Sequence, residues 1–131
     1  MPEYLSPEWF ATATELVATA STEGRFAPTT AAVHLVVEQT VHRPDDSVAV
    51  WHVVIDDGSV ALVPGAAAGS GRHADLTFSC DIVTAVGVRN GTIGAQSAFI
   101  DGRLRLGGDI TALLAHGEMF ATLDDVLAPL R

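Results

Sequence analysis

The spacing of the apolar residues changes part-way along this chain, and that change constrains the fold more than any other feature. Leu5, Trp9, Ala13, Leu16, Val17 and Ala20 recur at the three-and-four spacing of one helix face, and Gly24 stops the run. Ser6-Pro7-Glu8 supplies a cap, a proline suited to the first helical position and an acid for the positive end of the dipole. An amphipathic helix of about four turns is predicted there, with Leu5 and Phe10 placed as a hydrophobic staple. From Thr30 the pattern becomes that of strands. Ala32 to Val41 and Val48 to Ile55 are rich in β-branched residues, and His42-Arg43-Pro44-Asp45-Asp46 between them reads as a hairpin connection. Asp57-Gly58 favours a tight primed turn, so Ser59 to Val63 is expected to return as a third strand.

Pro64 to Arg72, with Gly65, Gly69 and Gly71 among alanines, reads as a loop, and Ala74 to Ser79 alternates as a fourth strand. Helical spacing resumes at Ile82, Val83 and Val86 and breaks at Gly91 and Gly94, and Ala95 to Phe99 suits one short turn of helix. Gly102 to Gly107 alternates basic and apolar residues, as a strand with one wet face does. Asp109 is placed to cap a helix through Leu113 and Leu114, and a last helix carries Met119, Phe120, Leu123, Val126 and Leu127 up to Pro129. Strands gathered first and helices later imply an α+β fold, with an antiparallel or mixed sheet and helices on one face. At 131 residues, without internal repeats or a long linker, residues 1–131 are expected to form one domain.

Several function classes are disfavoured. The chain carries 16 acidic and 7 basic residues, a net charge of −9, and the basic residues are scattered arginines with no lysine among them. Phosphate backbones call for clustered positive charge, so nucleic acid is not expected as a partner, nor an anionic membrane approached by electrostatics alone. No apolar run reaches the roughly 18–20 residues of a membrane span. The start resembles no signal peptide, and Pro129-Leu130-Arg131 is neither a lipidation box nor a peroxisomal tripeptide, so a cytoplasmic protein is expected. Arginine without lysine, with abundant alanine, valine and glycine, suggests a GC-rich bacterial coding sequence. Cys80 is the one cysteine, which excludes an intrachain disulfide.

The stretch from Ala74 to Asp109 resembles the sterol carrier protein-2 family of small lipid-transfer domains. Three anchors carry the resemblance: Ala74-Asp75 with Thr77 leading a strand into a helix near Asp81, Gly91 followed by Gln96-Ser97-Ala98-Phe99, and Gly102-Arg103-Leu104-Arg105-Leu106 closing on Gly108-Asp109. The N-terminal half resembles the family in layout only. This chain has Ala95 where proline is frequent in the family, and Arg103 and Arg105 where lysines are common. The resemblance implies a five-stranded, mostly antiparallel sheet with helices packed on one face, enclosing an apolar cavity. It also implies sterols, fatty acids, fatty acyl-CoA or similar lipids as ligands, bound or transferred without catalysis and without a cofactor, by a monomer or homodimer.

Residues that could line such a cavity are Trp9, Phe10, Phe78, Ile82, Val86, Gln96, Phe99, Leu104, Leu113, Met119, Phe120 and Leu123. Met119 suits varied ligands because its side chain adapts to irregular space. Shape and apolar walls would suffice. Burying about sixteen methylenes at ~0.8 kcal/mol each yields a gross gain near 13 kcal/mol, from which association takes back several.

Enzyme chemistry finds little footing. His34, His42, His52, His73 and His116 form no metal-binding helix motif. A hairpin centred near Pro44-Asp45 would set His34 and His52 on opposite sheet faces, whereas a one-residue slip would unite them. Asp81 beside Cys80 raises the thiol pKa rather than activating it. No phosphate-binding loop and no Gly-x-Ser-x-Gly elbow occurs. The alternatives to a carrier are a small enzyme whose apolar pocket steers cyclisation or isomerisation of a lipid or polyketide, and a dimeric accessory subunit of a lipid-modifying complex.

Overall fold

The computed structural model describes residues 4–127, without the side chains at positions 29, 95, 96, 113, 114, 117, 119, 120, 121 and 124. Helix α1 (Pro7–Thr22) begins as its sequence requires, with the Ser6 hydroxyl accepting from the Trp9 amide at 3.2 Å. A short helical turn, α2 (Ala27–Thr30), precedes strands β1 (His34–His42), β2 (Val48–Asp56) and β3 (Ser59–Pro64). A single 3-10 turn at Ala67–Ser70 leads to β4 (Leu76–Asp81), α3 (Ile82–Asn90) and α4 (Ala95–Ile100). Strand β5 (Arg105–Gly108) and helices α5 (Ile110–Ala115) and α6 (Gly117–Val126) follow.

The five strands form one sheet in the order β3-β2-β1-β4-β5. Strands β1 and β4 run parallel and every other neighbouring pair is antiparallel, which is the α+β architecture expected. Leu35, Val37 and Val41 of β1, Ala49, Trp51, Val53 and Ile55 of β2, Val60 and Leu62 of β3, and Leu76 of β4 are buried in one cluster with Trp9, Ala13, Val17 and Ala20 of α1. Leu123 and Val126 of α6 join them. The alternation along each strand, period two, gathers these residues on the face that the helices cover.

Local details differ from the sequence expectations, each for an identifiable reason. Strand β1 starts at His34 rather than Ala32, because Ala32 adopts φ 62° to leave α2 and donates its amide to Asp57 Oδ1 at 2.8 Å. Residues 102–104 are a turn rather than strand: the amides of Arg103 and Leu104 both donate to the Ala98 carbonyl, at 2.9 and 3.1 Å, capping α4. The β1–β2 hairpin centres on Asp45, with His42 opposite Val48. Asp46 takes φ 68° and Asp45 Oδ1 accepts the Ser47 amide, which makes a connection of odd length. His34 and His52 therefore share a face, contrary to the register centred nearer Pro44. Asp57 and Gly58, at φ 42° and 90°, form the tight turn predicted.

The motif segments lock onto each other. Asp75 Oδ2 accepts the Val36 amide at 2.9 Å, and the Asp75 carbonyl accepts the Asp109 amide at 2.7 Å. Gly108 faces that carbonyl so closely that a Cβ there would lie 2.2 Å from it. Asp81 and Asp109 cap α3 and α5 through the amides of Thr84 and Ala112.

Candidate ligand-binding site

A recess of about 320 Å³ lies between the covered face of the sheet and the helices. Its floor consists of Gln39 and Val41 of β1, Trp51 and Val53 of β2, Leu62 of β3, and Phe78 and Cys80 of β4. Register brings them together: Gln39 lies opposite both Trp51 and Phe78, Val41 lies opposite Cys80, and paired residues project to one side. The walls are Tyr4 and Trp9 at the start of α1, Ala85, Val88 and Arg89 of α3, Leu104 ahead of β5, and Leu123 and Leu127 at α6; Thr40 completes the lining. The volume falls at the lower end of the ~300–1,000 Å³ typical of small-molecule sites.

Arg89 is the one charged side chain among the described lining residues. Its guanidinium carbon sits 4.6 Å from the centroid of the Tyr4 ring, and that ring meets Trp9 edge-on at 5.2 Å. Burial pushes the Tyr4 hydroxyl up to about 12, against the opposing pull of the Arg89 charge, so at neutral pH it is a hydrogen-bond donor. Burial, and then the Asp81 carboxylate, push the Cys80 thiol up as well. That rise removes the thiolate a nucleophile needs. Trp9 is only 3% exposed, and its indole N–H has no hydrogen-bond partner among the described residues.

Of the residues the sequence singles out, Trp9, Phe78, Leu104 and Leu123 line the recess. Phe10 packs edge-on against Trp9 and Trp51, at 5.2 and 5.6 Å between centroids, in the adjoining core. Ile82 also packs against the core, and Val86 is half-buried outside the lining. The inward stripe of α3 is Ala85, Val88 and Arg89, set by the phase of a helix that starts directly after its Asp81 cap. Val83 is 71% exposed as a consequence. Phe99 is not in the lining and is 48% exposed, because α4 turns Ala98 inward and leaves the next residue outside. The side chains of Gln96, Leu113, Met119 and Phe120 lie outside the described residues.

Sequence reasoning missed Tyr4, Gln39, Trp51, Cys80 and Arg89. Strand alternation was the available signal for Gln39, which has Val37 and Val41 as same-face neighbours. Nothing local marks Tyr4 or Arg89, since they meet only through the tertiary fold.

The opposite sheet face carries a separate polar cluster. His52 is 0% exposed; its Nδ1 lies 2.8 Å from the Gly65 carbonyl, and its Nε2 3.2 Å from Arg72 Nη1. Arginine is donor-only, so Nε2 accepts and Nδ1 carries the proton. Glu38 Oε1 accepts the Ala67 amide at 2.9 Å. These bonds hold the 3-10 turn against the sheet and serve structure rather than the recess. No group of three or more His, Cys, Asp or Glu residues suited to a metal ion occurs among the described residues.

The model of the SCP-2 sterol transfer family matches residues 11–120. The chain belongs to that family. Solved structures of the family repeat the fold. A crystal structure of sterol carrier protein 2 is 18% identical, with a TM-score of 0.69 over 96% of this chain and 98% of that one. The apo form of sterol carrier protein 2 from Yarrowia lipolytica is 15% identical, with a TM-score of 0.61 over 90% and 85%. Sterol carrier protein domain 2 of Helicoverpa armigera is 16% identical, with a TM-score of 0.61 over 95% and 93%. No curated protein matches this sequence. Among the described residues of this SCP-2 chain, no helix is long and apolar enough to cross a membrane.

Proposed function

We propose that residues 1–131 act as one domain that shelters a lipid in the recess between sheet and helices and carries it without chemical change. Membership of the SCP-2 sterol transfer family supports lipid or sterol binding in general. The observation that carries the reading for this chain is the recess itself, in which apolar side chains from β1, β2, β3, β4, α3 and α6 converge with a single charged side chain among the described lining residues. Such a lining gains free energy from any apolar guest at ~25 cal/mol per Å² removed from water, so the ligand class is sterol, fatty acid, fatty acyl-CoA or a similar lipid. The depressed reactivity of Cys80 favours carriage over covalent catalysis at this site.

The test is displacement of a fluorescent fatty acid, with native mass spectrometry for co-purified lipid. One probe per chain is expected to bind and to be released by natural lipids. Leu104→Asp, which sets a carboxylate into the lining, is expected to weaken binding at least about tenfold. Arg25→Gln, at the exposed Arg25–Asp125 pair, is expected to leave it unchanged. Failure of every lipid tested, or equal effects of the two substitutions, would refute the assignment.

A further inference from the structure

We infer that Tyr4 is a hinged gate on the recess, turning about one bond of Leu5 between a closed place in the wall and an open one. The inference rests on the reading that the recess holds a lipid, and adds how the lipid enters and leaves. Leu5 takes φ 64°, in the left-handed region, where a bulky side chain is an outlier. That backbone is disfavoured for such a residue by roughly 5- to 30-fold. The Leu5 side chain is nonetheless buried in the core, and its carbonyl accepts from Arg43 Nη2 at 3.0 Å. Ser6, next in the chain, is pinned as the cap of α1 by the Trp9 amide at 3.2 Å, which confines the hinge to Leu5. Rotation in φ turns the chain about the bond from the Leu5 nitrogen to its Cα. The Leu5 side chain and carbonyl lie on one side of that bond and Tyr4 on the other. A turn to the ordinary negative range therefore relieves the strain, leaves both Leu5 anchors in place and swings Tyr4 alone among the described residues.

The contacts of the Tyr4 ring hold the hinge closed. The ring lines the recess, takes the Arg89 guanidinium carbon at 4.6 Å from its centroid and meets Trp9 edge-on at 5.2 Å. Contacts of these two kinds are worth a factor of about 2 to 10 each. Their product is of the same order as the backbone penalty. The closed arrangement carries a second cost. The Trp9 indole N–H is buried with no hydrogen-bond partner among the described residues, and it keeps its desolvation penalty until water reaches it. The Tyr4 ring lies against that indole, so its departure admits water. With opposing terms of similar size, both arrangements are populated in the empty protein. A lipid touches the Tyr4 ring only when the ring stands in the wall, so a guest shifts the balance toward closure.

The experiment has two arms. NMR relaxation dispersion on the lipid-free chain reads microsecond-to-millisecond exchange at the Tyr4 and Leu5 amides and at the Trp9 indole N–H. Exchange is expected at all three, with none at the amide of Val37 in the core of the sheet, and it is expected to be quenched by a bound fatty acid. In the second arm, stopped flow follows release of an NBD-labelled fatty acid into excess phosphatidylcholine vesicles. Y4A removes the ring; it is expected to release the probe at least about fivefold faster than the wild type. Its exchange at Leu5 is expected to vanish as φ settles in the negative range. Y4F keeps the ring and is expected to recover most of the delay, and Y4L takes the place of Y4A should that variant not fold. A single conformer at Leu5 in the lipid-free wild type, without exchange, overturns the inference and leaves the proposed carrier standing. Release from the ring-free variant at the wild-type rate does the same. Failure of every lipid to bind defeats the carrier reading, and the gate with it.

Discussion

Replacing Gly108 by alanine tests whether the motif from Ala74 to Asp109 works by backbone contact. Gly108 sits at φ +81°, and a Cβ built there meets the Asp75 carbonyl oxygen at 2.2 Å, with Leu76 Cα at 3.2 Å. The left-handed backbone costs a non-glycine residue ~1–2 kcal/mol, and alanine recovers ~0.4–1 kcal/mol by stiffening the unfolded chain. The contact adds a second penalty, because both close atoms are backbone and one strand must move. That movement draws the Asp75 carbonyl from the Asp109 amide, now 2.7 Å away, and disturbs the Asp75 side chain bonded to Val36. A lost hydrogen bond of that kind is worth ~0.5–1.5 kcal/mol, and the induced strain brings the total to about 2–4 kcal/mol. Gly102→Ala is the control, since Gly102 has φ +77° but nothing within 4 Å of the point where a Cβ would stand. Its cost is the conformational part alone, ~0.5–1.5 kcal/mol. Urea unfolding at 25 °C, followed by the fluorescence of the buried Trp9 and Trp51, measures both. A Gly108→Ala loss no larger than that of Gly102→Ala would refute the contact argument.

Two further outcomes follow from titratable groups in the recess. The Tyr4 pKa stands at about 12 in the folded chain against 10.0 ordinarily, so the unfolded state releases this proton first as pH rises. Stability is therefore intact below pH 10 and falls between 10 and 12 by ~2–3 kcal/mol at most, at ~1.4 kcal/mol per unit. Urea midpoints across that range are expected to fall less steeply in Tyr4→Phe, and parallel curves would count against it. For Cys80, burial and then Asp81 raise the thiol pKa, so at pH 7.5 N-ethylmaleimide is expected to react more slowly than with a free cysteine, and more slowly again with lipid bound. A rate equal to that of free cysteine and indifferent to lipid would remove Cys80 from the recess.

How far the sequence could be read depended on the range of each interaction. Ser6-Pro7-Glu8, Asp57-Gly58, Asp81 and Asp109 act within two to four residues of themselves, and helix starts, the tight turn and caps stand where those residues put them. Alternation in β1 and β2 likewise revealed the strands, because period two is a property of the extended chain alone. The hairpin register was harder: one residue in the left-handed region, Asp46, decides the parity of the connection and with it the face on which His52 of β2 lies.

Local periodicity also marked Ile82, Val83 and Val86 as a buried stripe; Ile82 does pack against the core, but α3 is turned so that Ala85, Val88 and Arg89 face the recess and Val83 faces out. On the same helix Gly87 lets Ile93 pack at a distance that a Cβ would not allow. By itself, then, the sequence determined the elements, the sheet-forming half and the family, all of which rest on short-range patterns and a contiguous motif. Only the tertiary structure decided which side chains share the recess. Tyr4, Gln39 and the Cys80–Arg89 segment are far apart along the chain, and their meeting depends on strand register and helix phase, which are settled by packing many distant residues at once.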